Sequence, residues 1–90
     1  MGSSATIQLE TELTIAQVGV WSARLAHEAL ADNEVMIDAS QLERVDAAGL
    51  QLLWAFKRSC AEKNVAVALF NVPKTIQELI RVSGLSQELG

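Results

Sequence analysis

The sequence predicts a small α/β domain, built as a mostly parallel or mixed β-sheet with helices mainly on one face. Three observations carry that expectation. A segment near the start alternates apolar and polar residues, two later runs are short and continuously apolar, and stretches of helical periodicity lie between them. Strands joined by helical crossovers run parallel with right-handed connections. A first strand with one wet face places the helices mainly on its other side. The expected order is βαβαβα.

From Thr6 to Leu13, Ile7, Leu9, Thr11 and Leu13 fall on one face and Thr6, Gln8, Glu10 and Glu12 on the other, which predicts one half-buried strand. Thr14-Ile15-Ala16-Gln17 has the form of a capping box, in which the Thr14 hydroxyl serves the Gln17 amide and the Gln17 side chain reaches back. A helix is therefore expected from there, burying Ile15, Val18, Trp21, Leu25 and Ala29 and ending at Asp32-Asn33. Gly19 sits inside it at a cost of about 1 kcal/mol relative to alanine.

Val35-Met36-Ile37 predicts a strand covered on both faces, closed by Asp38-Ala39-Ser40. Gln41 to Val45 reads as irregular. Asp46-Ala47-Ala48-Gly49 then leads into a helix running to about Lys63, with Asp46 as N-cap: its carboxylate accepts from the first free amides and meets the positive end of the helix dipole. Val65 to Phe70 is a second all-apolar strand. Asn71-Val72-Pro73 breaks it, and a shorter helix follows from near Lys74, with Pro73 in its first position and Ile76, Leu79 and Ile80 on its apolar face. Ser83-Gly84-Leu85 predicts a Schellman-type stop with Gly84 left-handed and Leu85 packing back.

At 90 residues and 50% hydrophobic content, the chain is expected to fold as one domain over residues 6–90, after a flexible N-terminus at 1–5. Met1 to Thr6 formally matches an N-myristoylation pattern, although small polar residues suit a flexible start equally well. A net charge of −4, with seven scattered basic residues, argues against binding nucleic acid through its phosphates. The single Cys60 forms no internal disulfide, no signal-peptide pattern is present, and no apolar run approaches the ~20 residues that span a bilayer. A cytoplasmic setting is expected, without direct membrane insertion.

An enzyme of this size needs a constellation of reactive groups. With one histidine, one cysteine and no Gly-rich phosphate loop, none assembles, so no catalytic residue, metal site or cofactor is expected. His27 reads as a surface residue of the first helix, and Cys60 as a small buried hydrophobe beside Phe56. Asp38 and Asp46 each have an ordinary turn or capping role. The second helix carries more information. At about 100° per residue, Leu52, Leu53, Phe56 and Cys60 share one arc, which Leu50 and Trp54 widen beyond what one sheet face covers. Two readings stand: Leu50 and Trp54 pack on a neighbouring helix of the same chain, or together with the stem of Lys57 they form a docking patch for a partner.

At Val45-Asp46-Ala47-Ala48-Gly49-Leu50, preceded by Met36-Ile37-Asp38-Ala39-Ser40 and followed by Val82-Ser83-Gly84-Leu85, the chain resembles the STAS domain family, which includes bacterial anti-sigma factor antagonists. The resemblance spans roughly Leu9 to Leu89. It implies a STAS-like fold and a non-catalytic module that binds a signalling kinase, an anti-sigma factor or a chemotaxis protein through Asp46, Ala47, Ala48 and Gly49, to which the apolar arc of the second helix adds Leu50, Trp54 and Lys57. In phospho-switch members of the family, the residue after the Asp is a Ser or Thr that a partner kinase phosphorylates. Here Ala47, the equivalent of that phosphosite, has no hydroxyl, and neither has Ala48; Ser40 and Ser59 do not match the position. Compact members with a blocked phosphosite resemble two groups, one encoded beside chemotaxis proteins and one bracing the ATPase of a bacterial phospholipid-transport ABC system. The Val-Asp-Ala-Ala-Gly-Leu-Gln-Leu-Leu run looks closer to the first. The likeness also raises nucleotide binding as a third class of activity. An exposed first strand leaves an edge-to-edge homodimer open.

Overall fold

The alternating segment at the start of the chain changes partner midway, and the architecture follows from that change. In the computed structural model, which describes residues 4–28 and 34–89, the elements run β1 (Ser4–Gln8), β2 (Glu12–Leu13), α1 (Val18–Glu28), β3 (Glu34–Asp38), β4 (Arg44–Val45), α2 (Ala47–Glu62), β5 (Ala66–Phe70), α3 (Lys74–Ser83) and α4 (Ser86–Leu89). A three-stranded sheet has the order β1-β3-β5, and β2 and β4 form a separate two-stranded ladder. All three pairings are parallel.

The single strand expected over Thr6 to Leu13 is therefore two. The Leu9 amide makes the last bond to the first sheet, donating to the Asp38 carbonyl at 2.9 Å. Two residues later the Thr11 carbonyl accepts from the amides of Glu43 and Arg44, at 2.8 and 3.0 Å, and the chain joins β4 instead. Alternation in the sequence is blind to this exchange, because Ile7, Leu9 and Leu13 are buried in either arrangement. The same contact turns part of the stretch read as irregular, Gln41 to Val45, into β4.

The first helix starts later than its capping box predicts. The Gln17 side chain does reach back to the Thr14 amide, at 2.9 Å, but the Thr14 hydroxyl donates to that side chain rather than accepting from the Gln17 amide, which bonds the Thr14 carbonyl. Thr14 to Gln17 thus form a closed turn, and α1 begins at Val18. Ile15, expected in the buried stripe, is 70% exposed, while Trp21 and Leu25 are fully inside. The expected members Ala29, Asp32 and Asn33, and the myristoylation pattern at Gly2, lie outside the described residues.

Ile7, Val35 and Ile37 point into one core with Trp21, Leu25, Leu53, Phe56, Cys60, Ile76 and Ile80, so the helices cover one face of the sheet. The register sets Thr6, Met36 and Ala68 side by side on the other face. There Met36 is half-buried and Thr6 and Ala68 are exposed, so β3 is not covered on both faces as its apolar run predicts, and β5 is open on that face as well. Alanine and methionine tolerate partial exposure, which makes a one-sided strand resemble a fully buried one.

Toward the C-terminus, Pro73 stands one position before the first helical residue, as N-cap of α3 with extended ψ. Leu79, expected on the buried face, is 44% exposed, and Ile76 and Ile80 alone on this helix enter the core. The Schellman stop forms: Gly84 has φ of 84°, its amide bonds the Arg81 carbonyl and that of Leu85 the Ile80 carbonyl, both at 3.2 Å. One further helical turn, α4, brings Leu89 back into the core.

Candidate functional site

Asp46 is tied into the protein from two sides. Its backbone is extended, its carbonyl accepts from the Leu50 amide at 3.0 Å to close the first turn of α2, and its Oδ1 accepts from the Gly49 amide at 3.0 Å. This is an N-cap in which one carboxylate oxygen satisfies a free helix-end donor. The other oxygen, Oδ2, accepts from the Ile15 amide at 3.0 Å, across 31 residues of sequence. These amides, Gly49 first and Ile15 second, hold the Asp46 carboxyl below its ordinary value of 3.8.

Gly49 is the third tie. A β-carbon there would lie 2.0 Å from the Leu13 carbonyl oxygen and 2.8 Å from a Val45 methyl, so α2 approaches the β2–β4 ladder closely enough that only glycine fits. The Asp-x-x-Gly spacing thus has a packing cause at each end. Asp46 fixes the helix start to the loop before α1, and Gly49 lets the first turn rest on β2.

The two positions between them have no such duty. Ala47 is exposed and Ala48 half-buried at the N-terminus of α2, and neither offers a hydroxyl. The other expected partner-binding positions divide by depth. Gly49 and Leu50 are buried within the chain, Leu50 at 6% exposure, so they support the surface from beneath rather than present atoms to it. Asp46, Trp54 and Lys57 are half-buried. Trp54 packs on the core with part of its ring, and the Arg58 guanidinium lies 5.7 Å from the ring centroid. The wide apolar arc of α2 is therefore answered inside the chain for Leu50 and in part for Trp54.

Ile15 is the residue that sequence reasoning missed at this turn. Its amide is fastened to Asp46 while most of its side chain is in solvent, which adds a large exposed apolar group beside the two alanines. Helical spacing pointed the other way, and nothing local in the sequence signals that the second Asp46 oxygen will capture its amide.

The remaining reactive groups are dispersed. Asp38 Oδ1 accepts from the Ser40 amide at 2.9 Å, and this bond, with the Ser40 hydroxyl and the Asn71 side chain, lowers its carboxyl from the ordinary value. It closes a turn at the end of β3. His27 is exposed on α1, and Ser40 and Ser59 are exposed. Cys60 is buried, and burial pushes its thiol up, against a smaller opposing pull from Lys63. Among the described residues no three His, Cys, Asp or Glu side chains gather as metal ligands, and no helix is long and apolar enough to cross a membrane.

A parallel sheet covered by helices on one face, with a helix N-terminus capped by Asp-x-x-Gly against a two-stranded ladder, defines the class of this small α/β domain. The family model described as "Mlab, STAS domain" matches residues 1–90, and the chain belongs to the STAS domain family. Among solved structures, the chain is similar to the anti-sigma factor antagonist SpoIIAA in its unphosphorylated form, with TM-score 0.81 and 20% identity over 100% of this chain and 80% of that one. It is similar to a sulfate transporter family protein from Wolinella succinogenes, with TM-score 0.83 and 16% identity over 97% of this chain and 71% of that one. It also matches SLC26A9, with TM-score 0.87 and 14% identity over 97% of this chain but only 17% of that one. At such identities the likeness is one of fold. No curated protein matches the chain.

Proposed function

We propose that this STAS domain is a non-catalytic interaction module that regulates a bacterial signalling kinase or an anti-sigma-type partner, in chemotaxis or sigma-factor control, by occupancy alone. One observation carries the reading: the Asp46–Gly49 frame is complete, while the two positions it presents are alanines. A phosphate at a helix N-terminus packed on a partner would add about two negative charges and break the contact. Ala47 and Ala48 cannot receive one, so the turn offers no covalent release and its effect follows the concentration of the module and that of its partner. The exposed Ile15 and Ala47 at the turn, with the half-buried Ala48 and, further along α2, the half-buried Trp54 beside Lys57 and Arg58, supply apolar groups with a charged margin, which suits a protein partner.

The blocked position also fits a second reading, a small subunit that braces the ATPase of a phospholipid-transport ABC system through the same surface. Paired pull-downs from the native cytosol with wild-type and Ala48→Glu protein, read by mass spectrometry, separate the two. Circular dichroism first confirms that the variant is folded. A kinase or anti-sigma factor retained only by wild type supports the regulatory reading, and an ABC ATPase retained only by wild type replaces it with the transporter one. Equal retention of every partner by both baits removes the Asp46 turn as the binding surface.

A further inference from the structure

The two outer strands of the three-stranded sheet differ in polarity. β1 carries Thr6 and Gln8, whereas β5 reads Ala-Val-Ala-Leu-Phe, and neither strand holds a charge or a proline. Natural edge strands are usually blunted by one of those devices. The free side of β5 can be assigned from one hydrogen bond. The Phe70 carbonyl accepts from the Ala39 amide of the segment following β3, at 3.0 Å. In a parallel ladder, the N–H and C=O of one residue point to the same neighbour and alternate along the strand. Ala66, Ala68 and Phe70 therefore face β3, and the amides and carbonyls of Val67 and Leu69 face outward, with no strand beyond them among the described residues.

Beside this edge lies a groove of about 590 Å³. Its floor includes Leu69, Phe70, Val72, Ile80 and Leu89. One stripe of α3, with Lys74, Gln77, Glu78 and Arg81, forms its wall. Glu78 is paired with Arg81, and among the described residues no carboxylate pairs with Lys74, so the wall carries one net positive charge on a chain whose net charge is −4.

We propose that β5 and α3 form a second docking site, which takes an extended, acidic segment of a partner protein as an added strand. The unpaired main-chain groups of Val67 and Leu69 call for an extended backbone, the apolar floor for alternate apolar side chains, and the Lys74 wall for carboxylates between them. A second copy of this chain answers the Lys74 wall less well, because its own β5 carries no carboxylate. The site shares no residue with the Asp46 surface and does not depend on what binds there.

The test uses the full chain, labelled for amide NMR, and two short end-blocked peptides that alternate valine with either glutamate or lysine. The glutamate peptide is expected to shift and protect the Val67 and Leu69 amides saturably, while the lysine peptide binds about tenfold more weakly or less. The exposed double variant Lys74→Glu, Arg81→Glu should reverse that preference. Equal response to both peptides, no saturable response, or shifts confined to β1 would each overturn the proposal. Sedimentation of the protein alone supplies the remaining arm, since a dimer with protected Val67 and Leu69 amides would assign the edge to a second copy instead.

Discussion

The amide of Ile15 and the amide of Gly49 end on the two oxygens of one carboxylate, that of Asp46, each at 3.0 Å. One side chain thereby joins the loop before α1 to the first turn of α2. Replacing Asp46 with asparagine keeps one oxygen and sets a donor where the second should accept, so one of the two amides loses its partner.

That arrangement gives a sign for the dependence on pH. The folded carboxyl is held below its ordinary value of 3.8, so its stabilising effect is complete above that value and is lost as pH falls through the lower folded one. Asp38 is shifted the same way and contributes in the same window. Urea midpoints measured from pH 7 to pH 2 should fall on the acid side for wild type and fall less for Asp46→Asn, which starts lower. Parallel curves for the two proteins would show that Asp46 is not the source of the acid loss.

Gly49→Ala should be among the most damaging conservative changes available. Its β-carbon would meet the backbone of Leu13, which cannot swing aside as a side chain can. The expected cost is about 3 kcal/mol, toward the upper end for an overpacked site, which in a domain of this size lowers the melting temperature by on the order of 15 °C. Gly19→Ala is the control. Nothing lies within 4 Å of the added carbon, and the change should stabilise α1 by up to about 1 kcal/mol. Thermal melts of the two variants should move in opposite directions.

At position 47, Ala47→Asp should leave the fold intact, because the side chain is exposed and a negative charge at a helix N-terminus contributes about 0.3–1 kcal/mol in its favour. The variant is expected to melt at or slightly above wild type. If it also loses its partner in the pull-down, the loss comes from the surface and not from unfolding.

Cys60 should behave as a buried hydrophobe. In the native protein at neutral pH a thiol reagent should modify it slowly, with urea restoring the rate of a free thiol. Cys60→Ser should cost about 1–3 kcal/mol, since the hydroxyl would enter a site built for sulfur. Rapid labelling of the native thiol would mean that the core around Phe56 opens readily.

Most of the fold was legible because its signals are local. The Asp46 cap, the apolar face of α2, and the Gly84 stop each depend on residues within a turn of one another. What the sequence concealed depends on distant contacts. The split between Gln8 and Glu12 is set by Asp38 on one side and by Glu43 and Arg44 on the other, and the alternating pattern is identical for one strand or two. Ile15 has the spacing of a buried helical residue, yet its amide is taken by Asp46 and its side chain is left outside. The Asp46 turn was found from its motif, but the division of its positions into buried and exposed follows from a contact with Leu13 that no spacing encodes.

The spacing of duties along this turn separates what must stay from what is free to change. Asp46 and Gly49 are committed to the frame, one by its two acceptors and the other by the space it leaves. Ala47 and Ala48 make no side-chain hydrogen bond among the described residues. The turn is in effect a short cassette held between fixed brackets, and its exposed position, Ala47, is where a hydroxyl or a charge would ask least of the helix behind it. A designer wishing to install a regulatory side chain in this protein would begin with that one letter.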